Sequence, residues 1–111
     1  MSQNKYLGEF EQMVLLAILH VGDDAYGLTI RKELEARTGR KVTHGAAYIT
    51  LERLVNKGLV DTWMGVPSPQ RGGRSKRHFR VAEPGLEALR ESHRAMQGLR
   101  GGLEEILEEP Q

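Results

Sequence analysis

The sequence predicts a mainly helical chain carrying one small β-hairpin, with a further helix at its C-terminal end. Three observations lead there. Three stretches of helical hydrophobic spacing run in succession through about residue 58. The period then shortens to two on either side of a Pro/Gly-rich loop. Helical spacing returns after Glu83. Such switches of period separate helices from strands.

The first helix follows Gly8 in "GEFEQMVLLAILHVGDD". Apolar residues fall on nearly every side from Met13 to Leu19. A helix apolar all round is buried all round. In 111 residues that leaves one flank to face a partner chain, and Phe10 and Val14 are candidates for such contact. Gly22 suits the stop, and Asp24 is expected to cap the second helix, "AYGLTIRKELEARTG". Ile30 and Leu34 mark its inner face, and Gly39 ends it.

Thr43 is the expected cap of the third helix, and Lys57-Gly58 its end. Ala47, Leu51, Leu54 and Val55 form a core stripe. Ala46, Ile49, Thr50, Arg53 and Lys57 form a second stripe with two cations and no acid, a surface suited to reading a groove. "LVDTWMGV" and "RSKRHFRV" have strand character, and "PSPQRGG" between them is turn material. In the second strand Lys76, His78 and Arg80 share one face, and Arg77, Phe79 and Val81 the other.

The last segment opens with Pro84 in a helical first turn. Leu86, Leu89, His93 and Met96 recur at the narrow seam spacing of a helix that pairs with another helix. Gly101 is expected to break it before a short amphipathic turn through Leu103, Ile106 and Leu107. The expected division is therefore residues 1–82 and residues 83–111.

Charge is segregated. Residues 1–38 carry net −2, residues 39–82 net +7 and residues 83–111 net −4, within a chain of +1. No acid occurs between Thr62 and Ala82. A basic middle is the footprint of a polyanion, or else a solvated basic loop. There is no cysteine, hence no disulfide or thiolate metal site. The four histidines show no tight ligand spacing, so neither metal nor cofactor is expected. "MVLLAIL" is too short to span a bilayer, and a cytoplasmic location without a membrane partner is expected.

Three helices followed by a hairpin is the order of a winged helix-turn-helix, with the third helix entering a DNA major groove and the hairpin as the wing. Cations attract phosphates and glycines permit close backbone approach, which accounts for "RGGRSKRHFR". At this level Arg53 suits a guanine edge or a phosphate. His44 and Thr50 suit bases or solvent. Ile49 suits a thymine methyl or plain exposure. Tyr48 is expected to pack its ring and turn its hydroxyl outward.

The sequence also resembles the PadR-type transcriptional regulators, of the short kind with a single C-terminal helix. "LGEFEQMVLLAILHVGDDAYGLTIRKEL", "GAAYITLERLVNKGLV" and "GGRSKRHFRV" are similar to the family's first two helices, recognition helix and wing. Ile49 stands where many relatives have proline, and Ala82 where many have threonine. The resemblance implies a homodimeric, sequence-specific repressor. It implies dimer contacts through the first and last helices, here Phe10, Val14, Leu86, Leu89, His93, Met96 and Leu103. It implies DNA contacts at His44, Ala46, Tyr48, Ile49, Thr50 and Arg53 on the helix and Arg71, Arg74, Lys76 and Arg77 on the wing. Thr43 and Lys57 complete the expected DNA-binding set. The partners implied are a pseudo-palindromic double-stranded operator, a second copy of the chain and, in some members, a hydrophobic small-molecule effector.

Two other classes compete with that reading. A protein-interaction module on a winged-helix scaffold explains the acidic tail and apolar first helix equally well, and the acid-free wing less well. An enzyme is disfavoured, since no phosphate loop, nucleophile elbow or carboxylate-lined cleft is legible.

Overall fold

The computed structural model describes residues 7–67 and 75–108. Its first helix, α1, spans Glu9–Val21. The Gly8 N–H donates to the Glu11 carboxylate at 3.0 Å, satisfying one otherwise orphaned donor of the first turn. Glu9 and Glu11 sit at the positive end of the helix dipole and His20 at the negative end. Gly22 stops the helix at φ +80°, and its N–H returns to the Ile18 carbonyl.

Helix α2 spans Gly27–Thr38, and its cap differs from expectation. Asp24 lies in a 3-10 turn, Gly22–Asp24, and Tyr26 occupies the cap position. The Thr29 hydroxyl accepts from the Tyr26 N–H at 3.0 Å and donates to the Asp24 carbonyl at 2.6 Å. The turn therefore uses Asp24 through its backbone. Gly39 closes α2 in the left-handed region, with its N–H on the Glu35 carbonyl.

Helix α3 spans His44–Asn56 and is capped by Thr43, whose Oγ1 accepts from the Ala46 N–H at 3.1 Å. Gly58, at φ +78°, turns the chain into β1, Val60–Met64. This strand pairs antiparallel with β2, Arg77–Val81, in the register Val60↔Val81 through Met64↔Arg77. The Gly65 N–H on the Lys76 carbonyl, 2.7 Å, extends the ladder. A second tie reaches β2 from the other side. The Phe79 N–H donates to the Ala25 carbonyl at 3.0 Å, and Tyr26 bridges to His78. The hairpin is thus fastened to the start of α2 as well as to the end of α3.

Helix α4 spans Glu83–Arg100 and ends at Gly101, and the short α5 covers Glu104–Leu107. The break falls where the paired glycines of the sequence place it. One core joins these elements: Leu15 and Ile18 of α1, Ile30 and Leu34 of α2, Leu51 and Leu54 of α3, and Val60, Phe79 and Val81 of the hairpin. Each such side chain contributes about 1.5–3 kcal/mol by leaving water.

Val14 belongs to this same core and has no exposed surface, which corrects its expected place at a dimer contact. The wheel of α1 is nearly all apolar, so spacing alone does not say which residues the chain covers by itself. Val14, Leu15, Ala17 and Ile18 are covered, while Leu16 and Leu19 remain half-exposed. Phe10, Leu86 and Leu89 are partly buried against the core, which takes up the first half of the expected α4 seam. Beyond Ser92 the helix is exposed, including His93, Met96 and Leu99. Leu103 is exposed after the break.

Candidate nucleic-acid interface

On α3, Ala47, Leu51 and Leu54 point inward. That rotation leaves His44, Gly45, Ala46, Tyr48, Ile49 and Arg53 exposed on the opposite side. Ile49 is 61 % exposed and free to meet a thymine methyl, though single exposed apolar residues are common. Thr43 is exposed at the cap. Thr50 departs from the expected stripe, being only 5 % exposed. At 100° per residue it lies about 40° from Leu54 and about 60° from Ala47, within the buried arc. Its hydroxyl is therefore not offered to a groove.

A cleft of about 220 Å³ opens between the start of α2, the first half of α3 and β2, lined by Tyr26, His44, Tyr48, Lys76, Arg77 and Phe79 among others. His44 and Tyr48 stack in it, ring centres 6.0 Å apart and 19° from parallel. The Lys76 ammonium lies 3.8 Å from the centre of the Tyr26 ring, a cation–π contact. Trp63 stacks on His78 at 5.7 Å and carries the Arg80 guanidinium over its face at 5.4 Å. It thereby joins the two strands near the loop end of the ladder.

Two cations expected at the interface are held internally. Lys57 Nζ lies 2.8 Å from Glu11 Oε2, tying the end of α3 to the start of α1. Burial alone would raise the Glu11 carboxyl. The Lys57 ammonium, the Gly8 N–H and the charges of Lys57 and Arg53 outweigh it and hold the group below its ordinary value. Arg77 is shared between β2 and α3. It reaches Glu52 with two nitrogens, at 2.7 and 3.2 Å, and donates to the Tyr48 hydroxyl and Thr62 Oγ1, each at 2.9 Å. The Tyr48 hydroxyl accepts from Arg77 in an exposed bond, and its ring, expected to pack, is 43 % exposed.

Among the described residues neither Arg53 nor Lys76 is in an ion pair. Lys76, just before β2, lines the same cleft as the His44–Tyr48 stack, while Arg53 is exposed further along α3. The expected wing contacts Arg71 and Arg74 lie outside the described residues. Sequence reading missed the part played by Glu52. It stood out only as one of two acids in residues 39–82, with nothing to mark its partner.

A cation-bearing α3 exposed beside a hairpin, and braced on α2, defines a winged helix-turn-helix protein. The family model described as "Transcriptional regulator PadR-like family" matches residues 15–91, and the chain belongs to that family of DNA-binding regulators.

Solved structures agree. A PadR-like transcriptional regulator from Bacillus cereus is similar, at 20% identity over 91% of this chain and 93% of its own, with a TM-score of 0.70. A PadR family regulator from Eggerthella lenta shares 24% identity over 92% and 88%, TM-score 0.67. A complex of hsRosR-S1 shares 27% over 86% and 78%, TM-score 0.66. No curated protein matches. No helix among the described residues is long and apolar enough to cross a membrane.

Proposed function

We propose that this chain is a cytoplasmic, homodimeric repressor that places α3 of each protomer in successive major grooves of a pseudo-palindromic operator. The observation that carries this is the exposed face of α3 beside the hairpin base, where Ala46, Ile49 and Arg53 stand clear of the core and the nearest acid, Glu52, is neutralised. Ile49 and Ala46 offer apolar contact to thymine methyls, and Arg53 a forked donor for guanine or phosphate. Thr43 lies at the helix N-terminus, where unpaired amides attract phosphate, and His44, stacked on Tyr48, is offered to the bases. Lys76, with Arg71 and Arg74 of the loop, serves the flanking backbone.

Dimerisation is supported by what the protomer leaves uncovered. Leu16 and Leu19 of α1 and Met96 of α4 line a groove of about 480 Å³, with Leu89 and His93 on its wall. A second copy related by two-fold symmetry would cover this surface with the same residues. The proposed units are residues 1–82 for DNA and residues 83–111, joined by α1, for pairing. Methionine and leucine around such a groove also suit an apolar effector, which would act by changing the angle between protomers.

Footprinting of a duplex enriched from a randomised pool tests the reading. Two protected half-sites one helical turn apart, about 34 Å, are expected. A single asymmetric half-site would overturn the dimer.

A further inference from the structure

We infer that Arg77 and Glu52 form a strut that sets the wing against α3 and aims the His44–Tyr48 pair, so that Arg77 is a positioning residue for sequence reading and not a phosphate contact. This rests on the DNA-binding reading above.

The geometry is specific. The guanidinium has five N–H groups. Two meet the Glu52 carboxylate, one meets the Tyr48 hydroxyl and Nε–H meets Thr62 Oγ1. The plane sits 5.6 Å from the Tyr48 ring centre and 5.1 Å from that of buried Phe79. Thr62 in turn donates to the His78 carbonyl across the hairpin at 2.8 Å. One side chain thus joins β1, β2 and α3.

A phosphate would have to break a forked, charge-assisted pair to engage it. The titration directions of both partners agree with the pairing. Glu52 is held below the ordinary carboxylate value by hydrogen bonds from Arg77 and Tyr48, and Arg77 is raised by its bond to Glu52 against the effect of burial.

Tyr48 is where the strut meets the reading face. Its hydroxyl is anchored by Arg77 and its ring lies against His44. Releasing Arg77 frees Tyr48 to change rotamer and His44 to lose its stacking partner. Bases are then read less well, whereas the cations that hold the backbone stay in place.

The test uses the full-length protein and two fluorescent duplexes, one enriched from a randomised pool by the wild type and one scrambled, over a series of KCl concentrations. A lost phosphate contact weakens every sequence alike and reduces the slope of log K against log salt by about 1 for each protomer, about 2 for a dimer. A lost positioning residue does neither. For Arg77→Gln we expect about a tenfold or greater loss on the enriched duplex, the scale of one mismatched base pair. On the scrambled duplex we expect less than about a twofold change and an unaltered slope.

The double variant Arg77→Glu with Glu52→Arg rebuilds the pair in reverse: the Tyr48 hydroxyl can turn from accepting to donating, while Thr62 keeps its single hydrogen on the His78 carbonyl. It is expected to recover most of the preference for the enriched duplex. It decides the matter alone if the single variant does not fold. Equal losses on both duplexes with a shallower slope, or a reversed pair that binds neither, would overturn the strut. Wild-type protein that binds neither duplex would overturn the DNA reading itself and the strut with it.

Discussion

Among the described glycines, Gly85 has the least room for a side chain. It lies in the first turn of α4, against the junction between α3 and β1. A Cβ added there would stand 2.3 Å from the Leu59 carbonyl oxygen and 2.9 Å from a Val81 methyl. Ordinary carbon–oxygen contacts begin at about 3.3 Å, so Gly85→Ala demands a displacement of about 1 Å. The obstacle is backbone, and that oxygen already accepts from the Ala82 N–H at 2.9 Å. Overpacking costs about 1–3 kcal/mol, and loosening the hydrogen bond costs about 1 more. Alanine's better helix propensity returns about 1. The net loss is about 1–3 kcal/mol, or a Tm lower by about 4–12 °C. Gly98→Ala is the control: it lies in the same helix with nothing within 4 Å of the added carbon. It should raise Tm by up to about 4 °C. Melts at one protein concentration give the comparison, which removes any effect of self-association on Tm. A Gly85→Ala protein as stable as the wild type would refute the packing described for α4.

Other expectations are simpler. Thr43→Ala should cost about 1 kcal/mol in urea unfolding through loss of the α3 cap, and Thr43→Ser should keep most of it. Lys57→Met strands the buried Glu11 carboxylate and should destabilise the fold by about 1–3 kcal/mol. Glu11 titrates lower in the folded chain than in the unfolded one. Its contribution is therefore full above about pH 4.5 and is lost as pH falls through the folded value. The stability gap between wild type and Glu11→Gln should shrink accordingly in acid. Leu16→Glu with Leu19→Glu places charge on the uncovered flank of α1. It should yield a folded monomer by analytical ultracentrifugation, and a persistent dimer would move the pairing surface elsewhere.

What the sequence disclosed was what short-range chemistry decides. The cap at Thr43, the stops at Gly22, Gly39 and Gly58, and the break at Gly101 each depend on one residue's conformational or hydrogen-bonding preference. The failures share a different character. Asp24 looked like a cap because the sequence does not reveal that Thr29, five residues on, reaches back to do the work. Val14 looked available because a helix apolar on all sides carries no mark of which flank its own chain will cover. Thr50 joined the outer stripe because it lies at the edge of the arc, where a rotation of a few tens of degrees changes its fate. The tie between Ala25 and Phe79 joins segments far apart in sequence, and no periodicity announces it.

The same limit governs the count of charges available to a polyanion. The sequence marks six cations at the interface: Arg53, Lys57, Arg71, Arg74, Lys76 and Arg77. Folding brings Glu11 to Lys57 across 46 positions and Glu52 to Arg77 across 25. Among the described residues that leaves Arg53 and Lys76 for phosphate; Arg71 and Arg74 lie outside the described residues, and counting them too gives four. Each neutralised phosphate contributes about −0.9 to the slope of log K against log salt. A dimer using four cations per protomer should therefore show a slope of about −7 on operator DNA, and one using all six about −11. Anisotropy titrations over a range of KCl distinguish these values. A slope near −11 would mean that DNA draws Lys57 and Arg77 away from their carboxylates, and that the internal pairs give way on binding.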